Sequence, residues 1–587
     1  MSIARISWIS GPVLRATTQG VFHMREAVAV GDARLLGEVI RIDGGQIVVQ
    51  VYEDTTGLRP GVEVHGSGRP LSVALGPGLL GNIFDGLLRP LRGTGTPFVL
   101  PGWRRAAPAR LVFAPLVRAG ERIARGALFG TATDGSGRAH GCLVPPDADG
   151  EVLRIAAAGS YDEDEPLLTL ATSHGDRREV AMRHEWPVRE PRPSRERLPG
   201  ERPLLTGQRI LDSLFPVARG GRAAIPGGFG TGKTILLETL AKWCDADVII
   251  YVGCGERGNE IAGVLEEFPR LDDPRSGRKL MERSVIIANT SNMPVSAREA
   301  SIYTAITVAE YFRDQGLDVA LMADSTSRWA EALREVSGRL GELPGEGAYP
   351  AYLSSRLAAF YERAGCVRTL AGAEGSITLI GSISPPSGDF SEPVTAHTKR
   401  YIRSFWALDI RRAQARFYPA VHPLQSYSED AVVLASWWEG AGHPDWPRLR
   451  SRFLALLEDQ ARLERMARII GQDAMPVRQQ LTLLCAELVA EAFLRQSAFS
   501  LVDAHCSPAR QRAMMSLLAR FLDLAEKAVV DGVAPDALMR LAVYRRLSRM
   551  GEDLPEAALG DYPGLAADME REFEQLVEAA HARQARS

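Results

Sequence analysis

Residues 227–234 read Gly-Gly-Phe-Gly-Thr-Gly-Lys-Thr, a full G-x-x-x-x-G-K-[ST] pattern whose residue types suit phosphate. Gly227, Gly228, Gly230 and Gly232 let the backbone turn tightly and approach an anion with no Cβ in the way. Phe229 and Thr231 complete the loop. Its amides, with the N-terminus of a following helix, aim positive dipole at the anion. Lys233 adds a full charge near the outer phosphates, and the Thr234 hydroxyl suits Mg²⁺. A Gly-rich turn ahead of a helix is the plainer reading, so the surrounding residues decide.

Two carboxylates follow apolar runs. Val248–Val252 leads into Gly253-Cys254-Gly255-Glu256-Arg257-Gly258-Asn259-Glu260. A carboxylate at position 256, just past a strand, can hold an attacking water as general base; the alternative is a solvated loop charge. Val319–Ala323 ends in Asp324, which fits a Walker B carboxylate orienting a Mg²⁺ shell through water, or else a cap on the next helix. Arg257 and Arg328 come soon after these ends. Guanidinium forks suit phosphate oxygens, with surface ion pairing as the competing use. Tyr418 and Phe499 can flank an adenine ring; for Tyr418, beside Pro419, core packing is the alternative.

These groups need a scaffold. Ala223-Ala224-Ile225 reads as a strand into the loop, and Ile235–Lys242 as a helix out of it. From about 200 to 430, strand candidates Val248–Val252, Val285–Ala288, Val319–Ala323 and Ile377–Ile383 alternate with helices that include 296–314 and 328–340. That alternation predicts a mostly parallel sheet covered by helices, with ligands off the carboxyl ends of its strands. The expected architecture is a multidomain α/β chain: a small N-terminal β-barrel over 1–75, a Gly/Pro-rich connector over 76–110 and an inserted β-rich lobe over 111–185. A P-loop nucleotide-binding domain over 186–435 and a C-terminal α-helical domain over 436–587 complete it. Asp43-Gly44-Gly45 is a hairpin signal in the barrel. Segments 450–470, 477–498, 508–530 and 534–549 carry helical periodicity with few glycines.

At 587 residues the chain exceeds what one core supports. A net charge of −3 offers no basic footprint for nucleic acid. The six cysteines are scattered with no C-x-x-C pair, which reads as reduced thiols rather than a zinc site or disulfide frame. No run approaches the ~18 apolar residues of a membrane span, so any membrane role must come through partner subunits.

Longer stretches carry a resemblance. GCGERGNE at 253–260, IANTSNMPVSAREASIYTAITVAEYFRD at 287–314, LMADSTSRWAEALRE at 321–335 and SPPSGDFSEPVT at 384–395 resemble the catalytic alpha chain of V-type and archaeal or bacterial A-type rotary ATPases. YEDTTGLRPG at 52–61, WPVR at 186–189 and VDAHCS at 502–507 belong to the same wording. So does the lobe at 111–185, which the related F-type β subunit lacks. The resemblance implies ATP or ADP with Mg²⁺ as ligands, coupled to H⁺ or Na⁺ transport. It places Lys233 and Thr234 at the family's P-loop positions, Glu256 at its water-positioning carboxylate with Arg257 beside it, and Asp324 and Arg328 at its Walker B aspartate and a phosphate-side arginine. It sets Tyr418 and Phe499 at its adenine-pocket aromatics.

The resemblance also implies an alternating A3B3 ring with B-type subunits that supply an arginine finger, plus central and peripheral stalks. The membrane sector would be reached only indirectly, from a cytoplasmic position. Where the family's usual wording has PGPFG, this chain has Pro226-Gly227-Gly228-Phe229-Gly230, and His397 stands where an asparagine is common. Two other readings use the same P-loop: a homo-hexameric export ATPase or Rho-like helicase, and a nucleotide-retaining structural subunit without turnover. The complete set Lys233, Thr234, Glu256 and Asp324 argues against the last.

Overall fold

A computed structural model describes residues 2–91, 101–102, 108–135, 137–172 and 175–584. Part of the expected connector, 92–100 and 103–107, lies outside the described residues. The chain divides into two compact units: Met1–Gly200 with Arg219–Arg222 and Ala246–Ile402, and Glu201–Ala218 with Ala223–Asp245 and Arg403–Ser587.

The first unit begins with a closed six-stranded antiparallel barrel, in the order Ile3–Ser10, Val13–Thr18, Gln46–Val51, Leu35–Asp43, Glu26–Val30 and Glu63–Pro70. Alternation puts Ile6, Leu14, Val39, Ile47, Val49 and Val64 inside it. The hairpin signal holds, since Asp43 pairs with Gln46 across Gly44, whose φ is +57°. The inserted lobe follows as two four-stranded sheets around a common core of Phe113, Phe129, Val152 and Leu170.

The parallel sheet of this unit runs Glu374–Ile383, Asp318–Asp324, Val248–Glu256, Ser284–Thr290 and Ile83–Phe84. These strands are buried almost throughout, as a sheet covered on both faces requires. Helix Val295–Arg313, buried along nearly its whole length, packs on this sheet.

The barrel is locked to that helix by a buried ion network. Arg189 donates to Glu38 at 2.9 Å and to Glu299 at 2.7 Å, and the Tyr52 hydroxyl donates to Glu38. Two sequence stretches far apart, 52–61 and 186–189, thus meet at one site. Burial works against the Glu299 carboxylate, but Arg189 more than offsets it and holds it below its ordinary range.

The second unit contains strand Arg222–Pro226 from position 223 onward, paired parallel with Ser404–Phe405, which pairs antiparallel with Tyr427–Ser428. Helix Lys233–Trp243 follows the loop. After residue 430 the unit is helical: Trp446–Ile470, Val477–Val489, Pro508–Val530, Ala542–Ser548 and Tyr562–Gln584 are its main helices.

Two expected helices differ in detail. The segment at 477–498 widens into a π turn at Ala490–Leu494 and turns extended at Arg495, because Arg209 takes the carbonyl oxygens of Phe493 and Arg495. The segment at 534–549 breaks into Pro535–Met539 and Ala542–Ser548, with Leu541 extended between them. There the Glu572 carboxylate accepts from the Val543 amide at 3.0 Å and serves the start of the second piece. Among the described residues no helix is long and apolar enough to cross a membrane.

Candidate active site

In the second unit, Pro226 ends its strand and the chain turns through Gly227–Gly232 into helix Lys233–Trp243. No side chain caps that helix, and a helix N-terminus of this kind aims its first-turn amides at an anion. Lys233 Nζ folds over the loop, donating to the carbonyl oxygens of Gly227 at 2.5 Å and Gly228 at 3.3 Å. Thr231 Oγ1 donates to the Gly228 carbonyl at 2.8 Å and stiffens the turn. Gly232 has φ +85°, and a Cβ there would stand 3.3 Å from the Tyr418 ring. Only glycine meets both constraints. Thr234 sits half-buried in the first turn.

The Tyr418 contact opens onto a cavity of about 800 Å³ lined by Thr231, Gly232, Ile235, Leu236, Tyr418 and Phe499, among others. Tyr418 is 41% exposed and Phe499 is 84% exposed, so neither is core packing. Phe229, 80% exposed, projects from the loop and does not line the cavity.

In the first unit, the strand ends carry the carboxylates. Gly253 lies opposite Asp324 in the parallel register. Against the neighbouring strand Ser284–Thr290 the register shifts between Cys254 and Glu256, and such a bulge re-aims a side chain. Gly255 makes the bulge possible: its φ is +75°, and a Cβ would stand 2.7 Å from Arg298 Nε and 2.9 Å from Arg328 Cβ. Asp324 is buried and accepts from the Tyr251 hydroxyl at 3.2 Å. Burial, then the negative charge of Asp324, then a shared hydrogen bond with Glu260 push the Glu256 carboxyl above its ordinary range, against a Ser325 hydrogen bond. Burial costs the Arg328 guanidinium, but Glu331, Glu256 and Glu260 more than compensate and raise it. Arg328 also pairs with Glu331 at 3.1 Å. Arg257 is exposed at the N-cap of helix Gly258–Glu267.

Within its unit, then, the structure gathers Glu256, Asp324 and Arg328, while Arg257 turns outward. Within the other, it gathers the Lys233 loop, Tyr418 and Phe499. Sequence reasoning missed Glu260 and Arg298 around Glu256, and Gln496 and Arg416 in the cavity wall. Glu260 carried a usable signal, standing four residues past Glu256 at the start of a helix. Gln496 carried none, because its partner Arg209 is 287 residues away.

Comparison with known families covers most of the chain. Residues 207–428 match the nucleotide-binding domain of the ATP synthase alpha/beta family, and 6–68 match that family's beta-barrel domain. Residues 108–189 match the ATP synthase alpha/beta subunit barrel-sandwich domain, and 435–538 match the C-terminal domain of V and A type ATP synthase. The A subunit of the A-type ATP synthase of Methanopyrus kandleri is 49% identical over 580 residues, 97% of this chain and 98% of that protein. The V-type ATP synthase alpha chain of Halothermothrix orenii is 47% identical over 581 residues, 98% of each. Among solved structures, the ATPase EscN from the type III secretion system of enteropathogenic E. coli superposes with a TM-score of 0.63 at 22% identity. It covers 88% of this chain and 99% of EscN, a likeness of fold.

Proposed function

Since the chain belongs to the family of catalytic alpha chains of the A-type and V-type ATP synthases, we propose that its named residues act as follows in Mg-ATP turnover. The chain is the nucleotide-binding, catalytic subunit of a rotary ATPase, an ATP hydrolase and synthase. The loop amides of Gly227–Gly232 and Lys233 hold the phosphates, and the cavity beside Tyr418 and Phe499 takes the base. Glu256 orients the attacking water and receives its proton. Arg328 balances charge on the phosphate side, with exposed Arg257 in a lesser role.

A hydroxyl at Thr234 and a carboxylate at Asp324 are a donor set that suits Mg²⁺, which prefers one or two protein oxygens plus phosphates and water. The Thr234 hydroxyl and the Asp324 carboxylate are the oxygens that would hold it, Asp324 through water. Bound with ATP, Mg²⁺ would neutralise charge on the outer phosphates. B-type subunits in an alternating A3B3 ring would add an arginine finger, and stalk subunits would connect the ring to a membrane sector that this chain reaches only indirectly, from the cytoplasm.

One observation carries this reading: Glu256 and Asp324 stand at the carboxyl ends of adjacent parallel strands, where open α/β sheets bind ligands. Matches to the barrel-sandwich and V/A-type C-terminal models favour it over a homo-hexameric export ATPase, with which the chain shares fold. The test is Glu256→Gln in the assembled complex. Nucleotide should still bind, while hydrolysis falls by about 10²- to 10⁴-fold. Hydrolysis at the wild-type rate would remove Glu256 from this role.

A further inference from the structure

The outer wall of the base cavity is a loop, with Ser548, Arg549, Gly551 and Glu552 also lining the cavity. Phe499 projects from the loop between Arg495 and Asp503 and is 84% exposed, and the neighbouring Ser500 hydroxyl donates to the Glu552 carboxylate at 2.8 Å. Both ends of the loop are gripped by one residue. Arg209, fully buried, donates Nε to the Phe493 carbonyl at 2.8 Å and Nη2 to the Arg495 carbonyl at 2.5 Å. Its guanidinium then closes a two-armed pair on the Asp503 carboxylate, Nη1 on Oδ1 and Nη2 on Oδ2, the latter at 3.1 Å. Asp503 Oδ2 also accepts from the Ser497 amide at 3.2 Å, tying the loop across itself.

The opposite wall joins the same network. Gln496 accepts the Arg209 amide on Oε1 at 2.8 Å and donates Nε2 to the Gly207 carbonyl at 2.8 Å. Its own amide donates to the Tyr418 carbonyl at 2.8 Å. Tyr418 and Phe499 are thus both referred to Arg209. The phosphate loop's internal bonds, from Lys233 and Thr231 to Gly227 and Gly228, belong to a separate set.

We infer that Arg209 and Asp503 are positioning residues that set the spacing of the base-binding walls, and so govern affinity for the nucleoside part of the nucleotide rather than for its phosphates. A planar guanidinium supplies the needed donors at fixed angles, which an ammonium cannot do. Its burial is tolerable only with every arm satisfied: removing the carboxylate leaves an uncompensated charge, and the loop must open to let water reach it. The inference rests on the reading that this cavity takes the base.

The experiment measures Kd for ATP and for inorganic tripolyphosphate, both with Mg²⁺, on the assembled complex carrying wild-type chain, Asp503→Asn or Arg209→Lys. Wild type should prefer ATP. Asp503→Asn should bind ATP about 10-fold more weakly while its tripolyphosphate Kd stays within about 2-fold. KM for ATP should rise by about the same 10-fold with kcat within about 2-fold, the pattern of lost uniform binding. Arg209→Lys keeps the charge but loses the fork, so it should follow in the same direction by a smaller factor. It carries the test if Asp503→Asn fails to assemble. Equal weakening of both ligands would reduce the pair to general scaffolding, and unchanged ATP affinity would show it idle. A wild-type complex without preference for ATP would overturn the cavity reading itself, and the pair with it.

Discussion

The carboxylate end of the sheet and the cavity beside Tyr418 and Phe499 are built on opposite plans. Glu256 and Asp324 issue from adjacent parallel strands whose backbones are buried and hydrogen-bonded in register. Phe499 stands largely in solvent and Tyr418 partly so, on loops placed by hydrogen bonds spanning up to 294 residues. Groups that meet reacting atoms must be held within fractions of an ångström, which a packed sheet provides. A ring that lies against a nucleobase tolerates more play, and a loop permits entry and release. Damage at the first place should therefore appear in kcat, and damage at the second in KM.

The largest expected effect tests the rigid side. Gly255→Ala demands a positive φ from a residue with a Cβ and drives that Cβ against Arg298 and Arg328. The strain should cost about 2 kcal/mol in stability. Displacing Glu256 by even part of an ångström should lower kcat by about 100-fold, with ATP KM little changed. Gly258→Ala, three residues on, meets nothing within 4 Å and has no positive φ, so it serves as the control with near wild-type turnover. Equal turnover in both variants would mean that the bulge at residue 255 does not place the carboxylate.

The next effect tests the adaptable side. Phe499→Ala removes an exposed ring, so stability should change by no more than about 0.5 kcal/mol. Loss of stacking on the base should raise ATP KM about 10-fold, while single-turnover cleavage of bound ATP keeps its rate. A kcat loss as large as that of Gly255→Ala would erase the contrast between the two regions.

How far each region could be read in the sequence follows the same division. The strand–loop–helix setting of Gly227–Thr234 and the strand-end positions of Glu256 and Asp324 were legible because a few local residues carry both motif and geometry. The four-part architecture was legible for a related reason, since barrel, lobe, parallel sheet and helical region each impose their own periodicity. The bulge at Cys254–Glu256 was not, because register depends on the neighbouring strand. Ser404–Phe405 and Tyr427–Ser428 are two-residue strands, too short to show alternation. Arg209, Gln496 and Asp503 are ordinary polar residues until the chain folds, and only long-range contact turns them into the frame of a cavity.

The smallest effect compares one physical cause acting on acid and base. Burial raises the Glu256 carboxyl, and it lowers the His443 imidazole to about 4. His443 is 3% exposed, and neither ring nitrogen has a hydrogen-bond partner; the ring meets Trp438 edge-on at 6.0 Å. It is therefore held neutral in the folded chain, whereas an unfolded chain protonates it near pH 6.5. The folded state binds fewer protons between those values, so the stability His443 contributes is complete above about pH 6.5 and drains away as pH falls toward about 4. The loss should be about 1 kcal/mol at about pH 5. Denaturant midpoints followed by tryptophan emission at about pH 7.5 and about pH 5 should separate wild type from His443→Phe by that amount only at the lower pH. The stacked Trp438–Trp446 pair is the adjacent reporter. An equal gap at both values would mean that the imidazole is not the group taking up the proton. ATP KM should stay unchanged in His443→Phe, since the ring does not line the cavity beside Tyr418 and Phe499.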